Sequence, residues 1–335
     1  MKTVLSGTRP TGKLHIGHLK GVVENWVDLQ KDYRTYYFIA DIHSYTNNLS
    51  SDKKQYVLDI ARDLLAAGID PSKSVLFIQS EVREHAELAL YLSMTTPLSW
   101  VQRCPTFKEA IADIRAAASE SGEEIKDESG ISTGLLNYPI LMTSDIVLYD
   151  ADYVPVGEDQ LAHLEISREI ARRFNNLFGD TLKEPQPLLA KYPKILGPDR
   201  RKMSKSYGNC IYLSDTPAET GAKVMSMITD PAKIRRADPG NPDICNVYDY
   251  HGIFGSSGLD EIKEGCRKGT LGCVECKKRL AAELTEILDA HRMKRASLGT
   301  DGDISDILGE GRKKAQTVAV AKLNDVKKKM GTGLL

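Results

Sequence analysis

No stretch of this sequence approaches the roughly 18 consecutive apolar residues of a membrane-spanning helix, which excludes a helical membrane protein. The opening Met1-Lys2-Thr3-Val4-Leu5 runs at once into Gly7 and Pro10, leaving no apolar stretch of signal-peptide length. The cytoplasm is therefore the expected compartment. Charge of one sign is lacking too. Lys and Arg number 45 against 46 Asp and Glu, a formal net charge of −1, which excludes a globally basic, histone-like protein and makes any nucleic-acid surface a local one. Internal repeats and low-complexity tracts are missing, so solenoids and unfolded linkers are set aside. With only six cysteines, a disulfide scaffold is not expected, and in the cytoplasm these residues read as thiols or metal ligands.

What is present is 335 residues, 41% of them hydrophobic, more than one compact core usually holds, so two domains are expected. Short β-branched or aromatic runs at Thr3 to Leu5, Tyr36 to Ala40 and Val75 to Gln79 alternate with helical periods. The first helix carries Leu19, Val23, Trp26 and Leu29 at steps of three or four; the second runs from about Ser51 to Gly68. This βαβαβ pattern predicts a Rossmann-like, doubly wound parallel sheet with ligands beyond the carboxyl ends of its strands. Residues 84 to 150 read as helices broken at Pro97, Pro105 and Pro139, with a mobile loop from Ala117 to Gly134. A strand at Tyr153 to Val156 and a helix from about Glu158 to Asn175 follow. Lys183 to Gly208, rich in Pro, Gly, Lys and Arg, is predicted as an exposed loop. Beyond Thr216 the pattern is helical, strongest at Val274 to His291 and Ile304 to Met330. The organisation expected is a catalytic α/β domain over 1–190, a connecting loop over 191–215 and a helical domain over 216–335.

Two motifs carry the chemistry. Gly7-Thr8-Arg9-Pro10-Thr11-Gly12-Lys13-Leu14-His15-Ile16-Gly17-His18 follows a strand and enters a helix, where unpaired N–H groups and the helix dipole favour a phosphate. His15 and His18, three residues apart, share one helical face, and Gly17 between them leaves room for a base or ribose. Two exposed histidines at a helix start are the plain alternative. The second motif, Arg200-Arg201-Lys202-Met203-Ser204-Lys205-Ser206-Tyr207-Gly208-Asn209, sets four cations within six residues of a loop, suited to developing polyphosphate charge. On charge alone a solvated basic turn or an RNA-contact patch is the favoured reading; the pair together favours an ATP site.

At this pair the sequence resembles the class I aminoacyl-tRNA synthetases, whose HIGH and KMSKS motifs stand here unsubstituted as His15-Ile16-Gly17-His18 and Lys202-Met203-Ser204-Lys205-Ser206. Within that class Tyr138-Pro139-Ile140-Leu141-Met142-Thr143-Ser144-Asp145-Ile146, Val154-Pro155-Val156-Gly157-Glu158-Asp159-Gln160 and Asp41-Ile42-His43 look like tryptophanyl-tRNA synthetases. The resemblance implies ATP-dependent activation of L-tryptophan, then transfer to tRNA(Trp), by a homodimer whose interface is formed by the helices after about Glu84. His15, His18, Lys202 and Lys205 would be catalytic, with Mg²⁺ sharing the polyphosphate charge. ATP would meet Arg9, Gly17, Gly157, Asp159, Met203, Ser204 and Ser206 besides the lysines. Leu5, Gly7, His43, Tyr138, Met142, Asp145, Val154, Val156 and Gln160 would form the tryptophan pocket, with Asp145 accepting the indole N–H inside an apolar lining. A tyrosine hydroxyl also donates to a carboxylate, so pocket chemistry alone leaves tyrosine open. A small nucleotidyltransferase would share the first motif but needs no helical C-terminal domain with clustered cysteines.

Cys245, Cys266, Cys273 and Cys276, the last two a C-x-x-C, form a metal-type quartet. Spacing leaves Zn²⁺, an iron–sulfur cluster or a redox dithiol open. Some tryptophanyl-tRNA synthetases carry a similar quartet holding a 4Fe-4S cluster in the anticodon-binding domain, and that likeness puts the cluster first and zinc second. Arg235, Arg236, Arg267, Lys268, Lys277, Lys278 and Arg279 flank it and suit RNA phosphates. A non-catalytic RNA-binding iron–sulfur protein would keep these features but not both ATP motifs. Cys104 and Cys210 have no comparable spacing and are expected to be unligated.

Overall fold

The structure, a computed structural model, describes residues 1–46, 49, 53–105, 107–109, 111–112, 132–189, 195–203 and 207–333, apart from the Asp159 side chain. Five parallel strands form one sheet, β1 (Thr3–Thr8), β2 (Arg34–Ile39), β3 (Ser74–Ile78), β4 (Tyr153–Val156) and β5 (Gln186–Leu189), in the order β3-β2-β1-β4-β5. The chain steps outward from β1 in both directions, so the switch in strand order falls between β1 and β4. A crevice for ligands opens there, at the carboxyl ends.

Helix α1 begins as Ile16–His18, passes through a π-helical run at Leu19–Val23 and ends as Glu24–Leu29. Its predicted apolar stripe is buried, with Trp26 stacked on Tyr37 of β2 at 4.5 Å and the Tyr37 hydroxyl donating to the Trp26 carbonyl at 2.8 Å. α2 (Lys53–Ala67), α3 (Glu84–Ser93), α4 (Tyr138–Val147) and α5 (Leu161–Phe178) complete the layers around the sheet. The C-terminal half adds α6 (Pro217–Met225), α7 (Asn246–Phe254), α8 (Leu259–Lys268), α9 (Cys273–Ala296) and α10 (Asp301–Lys329).

Two expectations need correction. The segment from Lys183 was read as loop, yet Gln186–Leu189 is β5; Pro187 disguised it, and proline is tolerated because β5 is an edge strand. The expected mobile loop over 117–134 lies outside the described residues as far as 131; Thr133–Leu136 is a helical turn capped by Ser132, whose hydroxyl accepts from Leu135 N–H. Further on, α9 buries Leu280, Leu284 and Leu288 in the same apolar cluster as Ile60 and Leu64 of α2. α10 returns to the sheet, with Ala315, Ala319, Leu323 and Val326 packed in the cluster that holds Leu5 and Val154. At about 1.5 to 3 kcal/mol for each fully buried large aliphatic side chain, these contacts weld the C-terminal helices to the α/β layer.

Candidate active site

The two halves of the ATP motif meet through backbone pairing. Ile16 N–H donates to the Ile211 carbonyl at 2.9 Å, Leu213 N–H donates to the Leu14 carbonyl at 3.0 Å, and His15 bridges antiparallel to Tyr212. Met203 is drawn beneath the first motif, where it is 5% exposed and its sulfur lies 3.5 Å from the point a Gly17 Cβ would occupy. The His15 ring stands 2.9 Å from that same point, so it fills the space left by Gly17 and excludes any larger residue there. The His15 and His18 rings lie 3.7 Å apart, and His18 Nδ1 accepts from the His15 N–H at 3.3 Å.

Lys202 is exposed and sits on a tight turn closed by Leu196 bridging to Lys202 and Gly197 N–H donating to the Arg201 carbonyl at 2.7 Å. Asn209 staples the far side, its amide donating to Asp199 at 2.8 Å and to the Lys202 carbonyl at 3.1 Å. Gly197 makes this possible, since a Cβ there would lie 2.7 Å from the Asn209 side chain. Ser204, Lys205 and Ser206, between these anchors, lie outside the described residues.

Across the crevice, Asp145 on α4 is 2% exposed and accepts from three donors on different segments. His43 Nε2 lies 3.0 Å from Oδ2, His85 Nδ1 lies 2.6 Å from Oδ1, and Gln79 Nε2 donates to both oxygens at 2.8 Å. Burial pushes this carboxyl upward, but the hydrogen bonds and charge of His43 and His85 hold it below its ordinary value, so it stands ionised. His43 follows β2 and packs edge-on against Tyr138 at 4.8 Å. Burial raises the Tyr138 hydroxyl above its usual range, with the exposed Arg9 acting the other way.

Leu5, Val154 and Val156 are buried in one cluster, and Met142 packs against it. Gly7, on β1, faces the Phe38 ring so closely that a Cβ would lie 2.5 Å from it. Gly157, Asp159 and Gln160 form the turn between β4 and α5. Sequence reasoning missed Gln79, His85 and Tyr149. Gln79 had a usable signal, its place at the carboxyl end of β3; nothing marked His85.

The four cysteines come together from the start of α7 (Cys245), from α8 (Cys266) and from the first turn of α9 (Cys273 and Cys276). Cys276 is pushed up to about 12 by burial and then by the neighbouring Cys245, Cys266 and Cys273. Burial and the nearby Cys245 raise Cys266 as well. Among the described residues, no group of three or more His, Cys, Asp or Glu side chains stands in an arrangement that holds a metal ion. Beside the quartet, Lys233, Ile234, Arg235, Arg236, Val274 and Lys278 line a basic groove of about 430 Å³.

The paired motifs at the switch point of a parallel sheet define a class I synthetase site. Residues 1–289 match the family of class I tRNA synthetases for tryptophan and tyrosine (W and Y), and the chain belongs to that family. Within it the chain falls among the tryptophan–tRNA ligases. The Thermotoga maritima tryptophan–tRNA ligase is 45% identical over 333 residues, covering 98% of each chain. That of Aquifex aeolicus is 40% identical, covering 98% of this chain and 99% of its own. The tryptophanyl-tRNA synthetase of Campylobacter jejuni, solved with ADP and tryptophan, superposes with a TM-score of 0.85 at 32% identity, covering 98% of this chain and 99% of its own. Among the described residues no helix is long and apolar enough to cross a membrane.

Proposed function

We propose that the crevice between His15-Ile16-Gly17-His18 and Asp145 is where L-tryptophan attacks ATP, and that the observation carrying this reading is the pairing of residues 14–16 with 211–213. That pairing sets the cationic loop beside the histidines. The tryptophan carboxylate attacks the α-phosphorus, the bond to the bridging oxygen breaks, and pyrophosphate leaves. An ionised carboxylate needs no general base, so the protein's work is positioning and charge stabilisation. With Nδ1 of His18 accepting from the His15 backbone N–H, its proton stands on Nε2, the nitrogen for a phosphoryl oxygen. Lys202, Lys205, Ser204 and Ser206 meet the departing pyrophosphate, with Arg9 at the α-phosphate; Gly17, Gly157, Asp159 and Met203 shape the nucleoside site. Mg²⁺ arriving with the nucleotide shares the polyphosphate charge.

Tryptophan lies among Leu5, Gly7, Met142, Val154 and Val156, with Tyr138 and Gln160 at its ammonium group. Its indole N–H goes to Asp145. That carboxylate has about four lone-pair positions, all engaged by His43, Gln79 and His85, so one donor must give way. His43 is that donor, because its second ring nitrogen has no partner among the described residues whereas the second nitrogen of His85 is held by Tyr149. Pyrophosphate exchange into ATP is expected with tryptophan, and at least about 10²-fold less with tyrosine or no amino acid. Equal exchange with tyrosine would defeat this assignment of the pocket.

The division of labour we infer is catalysis in 1–190, the loop that carries Lys202-Met203-Ser204-Lys205-Ser206 in 191–215, and anticodon contact through 216–335, with the basic groove beside Cys273 facing RNA phosphates. Leu90 of α3 and Met94 just beyond its end, 59% and 70% exposed, support a homodimer through this face. The cytoplasm suits the reading, as thiols stay reduced there. For the cysteine quartet we favour a 4Fe-4S cluster over zinc. The four thiols gathered from α7, α8 and α9 are the donor set either group takes, and the likeness to the synthetases that carry such a quartet supports the cluster. Cys245, Cys266, Cys273 and Cys276 would hold such a group, which would tie the starts of α7 and α9 to α8 beside the RNA-facing surface. Iron and sulfide in the purified protein, with visible absorption, are expected; zinc alone would reverse the preference. Serine at all four positions is expected to lower aminoacylation by at least about tenfold while exchange falls less than about threefold, the effect of one lost docking contact.

A further inference from the structure

We propose that Gln79 and His85 are the positioning residues that give the site its preference for an indole N–H, by holding the Asp145 carboxylate at one orientation. This rests on Asp145 being the indole acceptor. An indole N–H is a single directional donor, and a carboxylate free to turn about its own axis presents no fixed lone pair to it. Here turning is blocked from two sides. The Gln79 amide nitrogen straddles both oxygens at 2.8 Å, and Gln79 is itself held, its side-chain oxygen accepting from the His43 N–H at 3.4 Å. His85 Nδ1 clamps Oδ1 at 2.6 Å, and the Tyr149 hydroxyl donates to its other nitrogen at 2.8 Å, which fixes the ring and its tautomer. The Ser144 hydroxyl, one residue from Asp145, donates to the His85 carbonyl at 2.6 Å and locks α3 to α4 at this point.

Gln79 and His85 are both 0% exposed. They act through Asp145. A buried anion lacking these donors takes up a proton or swings toward other partners, and in either case it stops being a fixed acceptor. The same logic bears on tyrosine, whose hydroxyl both donates and accepts. Only a carboxylate kept ionised and acceptor-only turns away the accepting side of that hydroxyl.

The test compares tryptophan with its benzothiophene analogue, in which sulfur replaces the indole N–H, by pyrophosphate exchange. Gln79→Met and His85→Leu in the full-length enzyme are expected to raise KM for tryptophan about ten- to a hundredfold, the range for a hydrogen bond to a charged group. KM for ATP, kcat and KM for the analogue should change less than about threefold, a margin that one lost contact elsewhere would exceed. His85→Asn, whose amide nitrogen stands near the place of Nδ1, should restore most of the loss. A parallel rise in KM for both amino acids, or no rise for either, overturns the proposal. Asp145→Ala separates the two ideas. If Asp145→Ala still prefers tryptophan over the analogue, the pocket reading itself is wrong. If Asp145→Ala loses the preference while Gln79→Met and His85→Leu both keep it, only the positioning role falls.

Discussion

Replacing Lys205 with alanine is expected to slow tryptophan-dependent pyrophosphate exchange about 10²- to 10³-fold, the cost of one transition-state charge donor, with KM for tryptophan changed less than about twofold. The asymmetry follows from where the loop is anchored. Lys202 and Asn209 are fixed to each other through the Lys202 carbonyl, and Tyr212 is fixed to His15, so the anchors on either side of Lys205 are tied to the helix start that bears His18. A cation there meets negative charge that grows as pyrophosphate departs and is absent from bound tryptophan, so its removal lowers kcat rather than substrate affinity. Steady-state exchange, with tryptophan binding followed separately by fluorescence, reads both quantities. Unchanged exchange in the variant would remove Lys205 from the chemistry and leave the loop a nucleotide or RNA contact. A rise in KM for tryptophan equal to the fall in kcat/KM would instead mean that the loop shapes the amino-acid site.

Much of this is legible in the amino-acid sequence, for identifiable reasons. Strands β1, β2 and β4 announced themselves because a central parallel strand is buried on both faces and reads as a β-branched or aromatic run, as in Thr35-Tyr36-Tyr37-Phe38-Ile39, and β3 did so although it is an edge, because α10 covers it. β5 did not, because an edge strand tolerates the polar and proline residues that usually mark a loop. Both ATP motifs were found from their letters and their places after a strand and in a loop. That they act as a pair was also legible, but the contact that joins them was not, since it depends on Leu14 and Leu213 sharing a hydrogen bond across 198 intervening positions, which no local pattern encodes. Asp145 was legible, but its support was not. Gln79 and His85 act from a strand end and a helix start that only the packed sheet brings to one carboxylate. For the same reason the helical C-terminal segment looked separable in sequence, whereas α10 shares its core with the sheet.

That sharing can be measured with two glycines in one helix. Gly309 and Gly311 both lie inside α10, and the sequence gives no reason to treat them differently. At Gly311 an added Cβ would lie 1.8 Å from the Leu76 carbonyl oxygen and 2.7 Å from its carbon, backbone atoms of β3 that cannot swing aside. At Gly309 nothing stands within 4 Å. The glycine at 311 lets the helix lie directly on the edge strand, covering peptide groups that would otherwise be open to pairing with another chain. Gly311→Ala is therefore expected to cost about 3 kcal/mol, because the helix must lift off β3 and its neighbours Leu308 and Ala315 lose their burial. Gly309→Ala should be stabilising by about 0.5 to 1 kcal/mol, since alanine gives up less backbone freedom in a helix. Denaturant midpoints measured side by side test the pair. Two changes of the same sign and size would mean that α10 does not press on the sheet, and with it would go the case that the chain's last helix belongs to the α/β layer. The lifted helix should also expose Leu76 and its neighbours on β3, so Gly311→Ala, and not Gly309→Ala, is the variant expected to aggregate on warming.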